Sequence, residues 1–330
     1  MHTFFSAAAK GISIGIAATA ICTAAVKAAD DDHRQGRHDL DRVFVIVMEN
    51  HGFDQEVGQL PFISGLATTY GLEAYYFGVT HPSLPNYVAM IGGDFFGIQD
   101  DNDSCFNNVP NQPGCHLIHS QSLIDQLEQQ HISWEGLMES MPSTGFPSCA
   151  PDCTNKLYAQ KHNPFLYFQD IVSDPRRLKK IRPFVLSDLQ TELDNPAHAA
   201  RFIYIVPNQC NDQHGTASCN TDAVAQEDGD QFLSQTVPTI INSSAFTDRS
   251  VLFVVWDEND FSNSFGCCGD AGGGHIPMIV VTKNGMPVKR ATPTNHYSLL
   301  ATIEDGFDLP RLGHAQTAET LFGVFPERDF

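Results

Sequence analysis

The stretch VFVIVMENHGFD, which runs from Val43 to Asp54, decides the fold class. Its first six residues are apolar and mostly β-branched, without the alternation expected of a half-exposed strand. Such a run is typical of a strand that is covered on both faces, as in a parallel sheet. Sheets of this kind bind ligands at the carboxyl ends of their strands, and here Glu49 and Asn50 follow directly. The sequence therefore predicts a buried strand with a site at its end, and the alternative is an ordinary polar turn.

Two later apolar stretches, 202–206 and 251–256, also run directly into polar side chains. Those side chains are Asn208, Asp212 and His214 after the first stretch, and Asp257 and Glu258 after the second. Because the ends of parallel strands lie along one edge of a sheet, we expect these groups to converge with Glu49 and Asn50; solvated turns are the alternative. Oxygen-rich ligands with a histidine nearby suit one divalent cation, and the residues leave Mg²⁺, Ca²⁺, Mn²⁺ and Zn²⁺ open.

Ser83 lies in the segment THPSLPNY, between two prolines that stiffen the backbone. Pro85 suits the first turn of a helix predicted at 86–91. Ser83 then stands just ahead of a helix N-terminus, where backbone N–H groups favour an anion. It is either the N-cap of this helix or a nucleophile that faces a phosphate-like group. A Ser-His-Asp hydrolase is a further alternative, but no G-x-S-x-G elbow surrounds this serine.

The rest of the pattern places helices between the strands. Helices are predicted at 61–70, 121–130, 186–193, 228–242 and 296–303, and further strands at 75–79, 132–138 and 276–282. Strands separated by helices along one chain are typical of an α/β sandwich with a mostly parallel sheet. Because the sequence shows neither an internal repeat nor a linker, we expect a single catalytic domain over residues 41–330.

The N-terminal segment 1–28 has the layout of a secretory signal peptide, with Lys10 ahead of an apolar stretch rich in small residues. Residues 29–40 are predicted to be a disordered leader, and the protein to be secreted or periplasmic. No later stretch is long and apolar enough for stable membrane insertion. The formal charge of −20 disfavours nonspecific nucleic-acid binding. The sequence leaves the oligomeric state open.

Eight cysteines follow the predicted signal peptide, and an even number in an exported chain predicts disulfides. The short separations favour the pairs Cys105–Cys115, Cys149–Cys153 and Cys210–Cys219. Cys267 and Cys268 are harder to place, because adjacent cysteines bridge only through a strained ring. A structural zinc site is the competing interpretation.

Four ordered motifs, MENHGFDQ, THPSLPNY, VPNQCNDQHG and VVWDEND…GGGHIP, resemble those of the bacterial phosphoesterase family. That family contains secreted acid phosphatases and phospholipases C and belongs to the alkaline-phosphatase-like superfamily. The resemblance covers residues 43–301. It implies a three-layer α/β/α sandwich that hydrolyses phosphate esters through a metal-bound hydroxyl nucleophile.

The motif match also implies roles for individual residues. Glu49, Asn50, Asp257 and Glu258 would be metal ligands, Ser83 the nucleophile, His81, His214 and His275 the catalytic histidines, and Asn86, Asn208 and Asp212 substrate-binding residues. Relatives commonly carry an aspartate before the last histidine, whereas this chain has Gly274. A histidine satisfied within its loop is therefore the alternative for His275. His162 is interpreted as structural, because its segment has no acidic neighbours.

The sequence as a whole predicts an exported, metal-assisted phosphatase of the acid phosphatase type that acts on phosphate monoesters. The expected substrate is a small phosphate ester or a phospholipid head group, and phosphoinositides are among the candidates. A phospholipase C-type phosphodiesterase is the first alternative. The second, from another class, is a non-catalytic secreted binding protein that retains the fold.

Overall fold

The apolar stretch at 43–48 lies in the middle of the main sheet, in strand β1 (Arg42–Met48), all of whose residues are buried. The computed structural model describes residues 1–3, 40–106, 114–146, 157–269, 272–285 and 287–321. The described residues from Leu40 onward belong to one compact unit. Nearly all of the predicted signal peptide and leader lies outside the described residues, so their bounds and those of the catalytic domain stay predictions.

The other secondary-structure elements follow in chain order. The strands are β2 (Gly71–Glu73), β3 (Tyr76–Phe77), β4 (Trp134–Met138), β5 (Ile181–Pro183), β6 (Phe202–Val206), β7 (Ser250–Trp256), β8 (His275–Ile276), β9 (Met278–Thr282), β10 (Lys289–Arg290) and β11 (Thr294–Asn295). The α-helices are α1 (Phe53–Glu56), α2 (Pro61–Thr69), α3 (Ser83–Gly92), α4 (Leu123–Gln129), α5 (Gln169–Val172), α6 (Pro175–Leu178), α7 (Leu186–Leu193), α8 (Asp222–Ile241) and α9 (His296–Gly306). Short 3₁₀-helices lie at Gln160–His162, Pro164–Tyr167 and Gly313–Thr317.

The main sheet has the order β10-β2-β9-β7-β1-β6-β4-β5. Its strands pair in parallel from β7 to β5 and between β10 and β2, whereas β9 runs antiparallel to both of its neighbours. A smaller sheet has the order β11-β3-β8. Helices α2, α7 and α8 pack together in one group, and α3, α4 and α9 in another. All residues of β1, β6 and β7 are buried, which means that both faces of the sheet are covered. The predicted sandwich with a mostly parallel sheet is confirmed.

Several predicted bounds are wrong, and prolines explain two of them. Helix α3 begins at Ser83 and not at residue 86, because Pro85 occupies its first turn, where a missing N–H removes no helical hydrogen bond. The strand predicted at 276–282 is divided between β8 and β9 at Pro277, which has no N–H to donate. Helix α8 begins earlier than predicted, and its N-cap Thr221 accepts a hydrogen bond from the Val224 N–H.

Two of the predicted disulfides, Cys105–Cys115 and Cys210–Cys219, are present. Cys267 is bonded to its neighbour Cys268. The predicted pair Cys149–Cys153 lies outside the described residues. Because the six described cysteines form disulfides, they do not offer the thiolates that the structural zinc alternative requires. Within the described ranges, the helices lack the combination of length and apolar character that crossing a membrane requires.

Candidate active site

Ser83 is the first residue of α3 and is 1% exposed. Its hydroxyl donates towards two carboxylates, at 3.1 Å from Glu49 Oε2 and 3.3 Å from Glu258 Oε1. The N-cap of the helix is Pro82, so Ser83 does not fill the capping role that was its alternative. The serine hydroxyl is instead held in a buried pocket of acids at a helix N-terminus, where backbone N–H groups favour an anion.

The acids are brought together by the register of the two central strands. Met48, at the end of β1, pairs with Trp256, at the end of β7, so the residues that follow them are neighbours. The Asn50 N–H donates to Asp257 Oδ1 at 3.2 Å, and Asn50 adopts a left-handed φ of 52° that asparagine tolerates. Sequence reasoning predicted this convergence, although the roles of the residues remain predictions.

The carboxylates of Glu49, Asp257 and Glu258 lie close together in this pocket, and their proximity and burial shift their pKa values. Burial raises the pKa of Asp257, and the charges of Glu49 and Glu258 raise it further. Burial likewise raises the pKa of Glu258 to about 7, against the opposing hydrogen bond from His81. An acidic cluster of this kind is destabilising without a counter-charge, because each carboxylate disfavours ionisation of the others.

Buried oxygens without hydrogen-bond partners test whether a cation fits. In the described part of the chain, Glu49 Oε1, Asn50 Oδ1 and Asp257 Oδ2 are buried and accept no hydrogen bond. Leaving such a group unsatisfied costs about 1–3 kcal/mol, and more when it is charged. Carboxylate and amide oxygens are the ligands that hard divalent cations take. The predicted donor set therefore fits a divalent metal ion.

His162 lies between Glu49 and Asp212, whereas the sequence predicts a structural histidine at this position. Its Nε2 is 3.0 Å from Glu49 Oε1 and its Nδ1 is 3.1 Å from Asp212 Oδ2, and neither contact has the alignment of a hydrogen bond. Burial lowers the pKa of His162, but the Glu49 charge and the contact with Asp212 outweigh it and raise the pKa to about 9. Burial raises the pKa of Glu49, whereas the charge of His162 lowers it, and the net direction is down.

A second set of potential metal ligands also includes Glu49, which belongs to the oxygen-rich set described above. Potential ligand atoms of Glu49, His162 and His214 all lie within 4.8 Å of one another. With a metal ion on His162 Nε2, Asp212 would accept a hydrogen bond from Nδ1–H, which is the usual way in which a carboxylate orients a histidine ligand. The site therefore offers both an oxygen-rich set and a mixed nitrogen and oxygen set of ligands. Asp212 also fixes His214, whose backbone N–H donates to Asp212 Oδ1 at 2.8 Å.

Lys161 also reaches Ser83, and sequence reasoning missed it. Its Nζ donates to Ser83 Oγ at 3.3 Å and to Asp101 Oδ2 at 2.8 Å, and lies 3.3 Å from His214 Nε2. Burial lowers the pKa of Lys161, but the charges of Glu49 and Asp101 raise it above the ordinary lysine value. The amine therefore stays protonated beside the serine.

His81 is fixed by Glu258 on one side and by an aromatic ring on the other. Its Nδ1 is 2.6 Å from Glu258 Oε2, and Phe261 stacks on the imidazole with the ring centroids 4.1 Å apart. His81 Nε2 is buried and has no hydrogen-bond partner among the described residues. Phe261 itself is 64% exposed, so an aromatic side chain stands between the pocket and solvent.

Two predicted substrate-binding residues make structural hydrogen bonds here. The Asn86 side chain accepts from the N–H groups of Val79 and Thr80 and donates to the Thr80 carbonyl, which fixes the loop that leads to Ser83. Asn208 accepts from the N–H groups of Cys210 and Asn211 in its own turn. Their predicted contacts with substrate remain predictions.

The structure does not join His275 to the Ser83 cluster. Its Nε2 lies 2.8 Å from the Ala74 carbonyl oxygen, and its ring stacks on Phe53 at 4.6 Å between centroids. This arrangement matches the alternative of a histidine satisfied within its surroundings. A different histidine, His296, contacts the backbone of the acid cluster. Its Nε2 is 2.6 Å from the Asp257 carbonyl oxygen, and burial lowers its pKa to about 4.

Solved structures and related sequences give the fold type and the family of the chain. A solved structure of a protein in the alkaline phosphatase superfamily from Vibrio parahaemolyticus aligns with a TM-score of 0.54 at 12% identity, over 85% of this chain and 71% of that chain. The fold is therefore alkaline-phosphatase-like. Residues 58–310 match the Phosphoesterase family, and the chain belongs to this family.

The proteins with similar sequences include acid phosphatases and a phosphoinositide phosphatase. The chain is 30% identical to the phosphate-repressible acid phosphatase of Penicillium chrysogenum over 297 residues, which are 88% of this chain and 64% of that protein. It is 27% identical to the phosphatidylinositol-3-phosphatase of Mycobacterium tuberculosis over 288 residues, which are 86% of this chain and 82% of that protein. The chain spans 56–64% of the length of the acid phosphatases that it matches.

Proposed function

We propose that the protein is a metal-assisted phosphatase that hydrolyses phosphate monoesters through Ser83. The observation that carries this proposal is the buried Ser83 hydroxyl at the start of α3, within 3.3 Å of two carboxylates that follow the two central strands. Family membership and the acid phosphatases among its relatives support the same reaction class.

The proposed metal site consists of the oxygen ligands that follow β1 and β7. Glu49, Asn50, Asp257 and Glu258 would hold one divalent ion, and the buried oxygens of Asn50 and Asp257 that accept no hydrogen bond support this assignment. When bound, the ion supplies positive charge that favours the serine alkoxide and polarises a phosphoryl oxygen. His162 and His214 are the further ligands if the ion prefers nitrogen.

In the first step, Ser83 Oγ forms a bond to phosphorus as the bond to the leaving oxygen breaks. The serine proton passes to Glu49 or Glu258, which accept its hydrogen bond. His81 protonates the leaving oxygen, since its Nε2 is buried without a partner while Glu258 fixes Nδ1. Water then gives a proton to the neutral His81 and attacks phosphorus, the Oγ–P bond breaks, and Ser83 takes back the proton held by Glu49 or Glu258. His214 is the second candidate for the acid, and the surroundings of His275 favour it least.

The proposed substrate is a small phosphate ester or a phospholipid head group, and a phosphoinositide monoester is a candidate. The phosphatidylinositol-3-phosphatase among the relatives supports a phospholipid head group as the substrate. The disulfides Cys105–Cys115 and Cys210–Cys219 support export to an oxidising compartment, either the periplasm or the medium.

The test is phosphate release from 4-nitrophenyl phosphate by the purified protein with each candidate divalent ion. We expect turnover by the wild type and none by Ser83→Ala. The matched control is Ser187→Ala, which changes an exposed serine in the first turn of α7. Full activity of Ser83→Ala would overturn the nucleophile assignment. Turnover of a phosphodiester alone would replace the proposal with a phospholipase C-type activity.

A further inference from the structure

The positively charged amine of Lys161 is in hydrogen-bond contact with the hydroxyl of Ser83, the proposed nucleophile. Its Nζ lies 3.3 Å from Ser83 Oγ, on an amine whose side chain is only 19% exposed. Glu49 and Glu258 also contact this hydroxyl, so the ammonium stands among acids that would repel an anionic substrate. When a phosphoryl group is bonded to Ser83 Oγ, one of its non-bridging oxygens comes within reach of an ammonium at this distance.

Asp101 holds the ammonium in this place. Its Oδ2 accepts from Lys161 Nζ at 2.8 Å, while its Oδ1 accepts from the Leu84 N–H at 3.0 Å. One carboxylate thus ties Lys161 to the first turn of the helix that carries Ser83. The ammonium and the serine therefore keep a fixed separation, which is what preorganised charge stabilisation requires.

The charge of the substrate decides how much such a group contributes. A phosphate monoester carries about −1.5 to −2 charges near pH 7, because its second pKa is about 6. A phosphodiester has a single ionised oxygen and carries one charge. A second fixed positive charge beside a divalent ion therefore favours the monoester more strongly than the diester.

We propose that Lys161 is a catalytic residue that binds a non-bridging phosphoryl oxygen beside Ser83 and makes the site select phosphate monoesters over diesters. Asp101 is its positioning residue. This inference rests on the proposed function. It adds that the Lys161 ammonium distinguishes monoesters from diesters by their charge.

The experiment compares 4-nitrophenyl phosphate with methyl 4-nitrophenyl phosphate, which have the same leaving group and differ in charge. Removing a preorganised donor of this kind lowers kcat by about 10²–10³-fold. We expect Lys161→Met to lower kcat/KM for the monoester by that factor and for the diester by much less. The ratio of the two values should therefore fall by about tenfold or more. Lys161→Arg keeps the charge and should restore part of the ratio.

Two further variants guard against a purely structural effect. Asp101→Asn leaves the ammonium in place but loosens it, and should lower the monoester-to-diester ratio by less than Lys161→Met does. Lys179→Ala removes an exposed lysine and should leave the ratio unchanged. Inhibition by inorganic phosphate gives a second readout that involves neither ester group, and its inhibition constant should rise in Lys161→Met and not in Lys179→Ala.

The outcomes separate the two proposals. If the wild type hydrolyses the monoester, Ser83→Ala is inactive, and Lys161→Met keeps both the wild-type ratio and the phosphate inhibition constant, Lys161 does not read the charge and only this inference fails. If the wild type hydrolyses neither substrate with any of the four metal ions, the proposed function fails and this inference fails with it.

Discussion

Replacing Glu258 by glutamine tests whether the acid cluster is under electrostatic strain without a cation. The pKa of this carboxyl is raised from 4.5 to about 7, chiefly by burial. For an acid, a raised folded-state pKa means that the folded protein binds the proton more tightly than the unfolded chain does. As far as this carboxyl is concerned, the free energy of unfolding is therefore highest below pH 4.5 and falls progressively as the pH rises to about 7.

The magnitude follows from the same pKa. One pKa unit corresponds to about 1.4 kcal/mol, so a rise from 4.5 to about 7 corresponds to roughly 3 kcal/mol above pH 7. We expect Glu258→Gln to raise the free energy of unfolding of the metal-free protein at pH 8 by up to about 3 kcal/mol. At pH 4.5 the gain should be much smaller, because the wild-type carboxyl is then protonated in the folded state.

The assay is urea unfolding of chelator-treated protein at both pH values, repeated with an excess of each divalent ion. The ion should stabilise the wild type by mass action and stabilise Glu258→Gln far less, because a ligand has been lost. Glu227→Gln, which changes an exposed residue of α8, is the control. Equal stability of Glu258→Gln and wild type at pH 8, with equal stabilisation by the ion, would refute this account of the cluster.

Two further substitutions probe the histidines. His162→Gln should lower the free energy of unfolding of the metal-free protein by about 3 kcal/mol at pH 6, because it leaves buried carboxylates without a charged partner. The pKa of His162 is raised to about 9, so this stabilisation is complete below pH 6.5 and disappears as the pH rises through 9; unfolding curves from pH 6 to 10 that show a constant difference would contradict it. His81→Gln should lower kcat by about 10²–10⁴-fold for an alkyl phosphate and by much less for 4-nitrophenyl phosphate, whose leaving group needs little protonation. Equal losses on the two substrates would exclude His81 as the acid.

The central strands and the first acids could be predicted because each carries a local signal. An uninterrupted apolar run, as at 43–48, is uncommon outside a doubly covered strand, and an acid directly behind it has to lie at the edge of the sheet. Parallel pairing of β1 with β7 then brings Glu49 and Asp257 together without further information. The bounds of α3 were harder to predict, because a proline near a helix start is compatible with more than one first residue.

Lys161 and His162 could not be found in this way. They lie in a 3₁₀-helix, Gln160–His162, which has neither hydrophobic periodicity nor an apolar strand in front of it. Their place beside Ser83 depends on the path of the chain across α3, which the 3₁₀-helix contacts. The local sequence gives a basic pair ahead of Asn163 and Pro164, and such pairs are usually solvated. Only the tertiary contacts with Asp101, Glu49 and Asp212 distinguish them.

The pairing of β1 with β7 also bears on when the candidate site forms during folding. The hydrogen bond between Asn50 and Asp257 joins residues separated by 207 positions, and Ser83 is 175 positions from Glu258. Contacts this distant in sequence form late, because a long loop has to be closed before they stabilise anything. A partly folded chain or a fragment that ends before β7 lacks Asp257 and Glu258, which are two of the three carboxylates of the acid cluster. The return of the proposed phosphatase activity during refolding should therefore report the completed central sheet, later than the signals of the local helices.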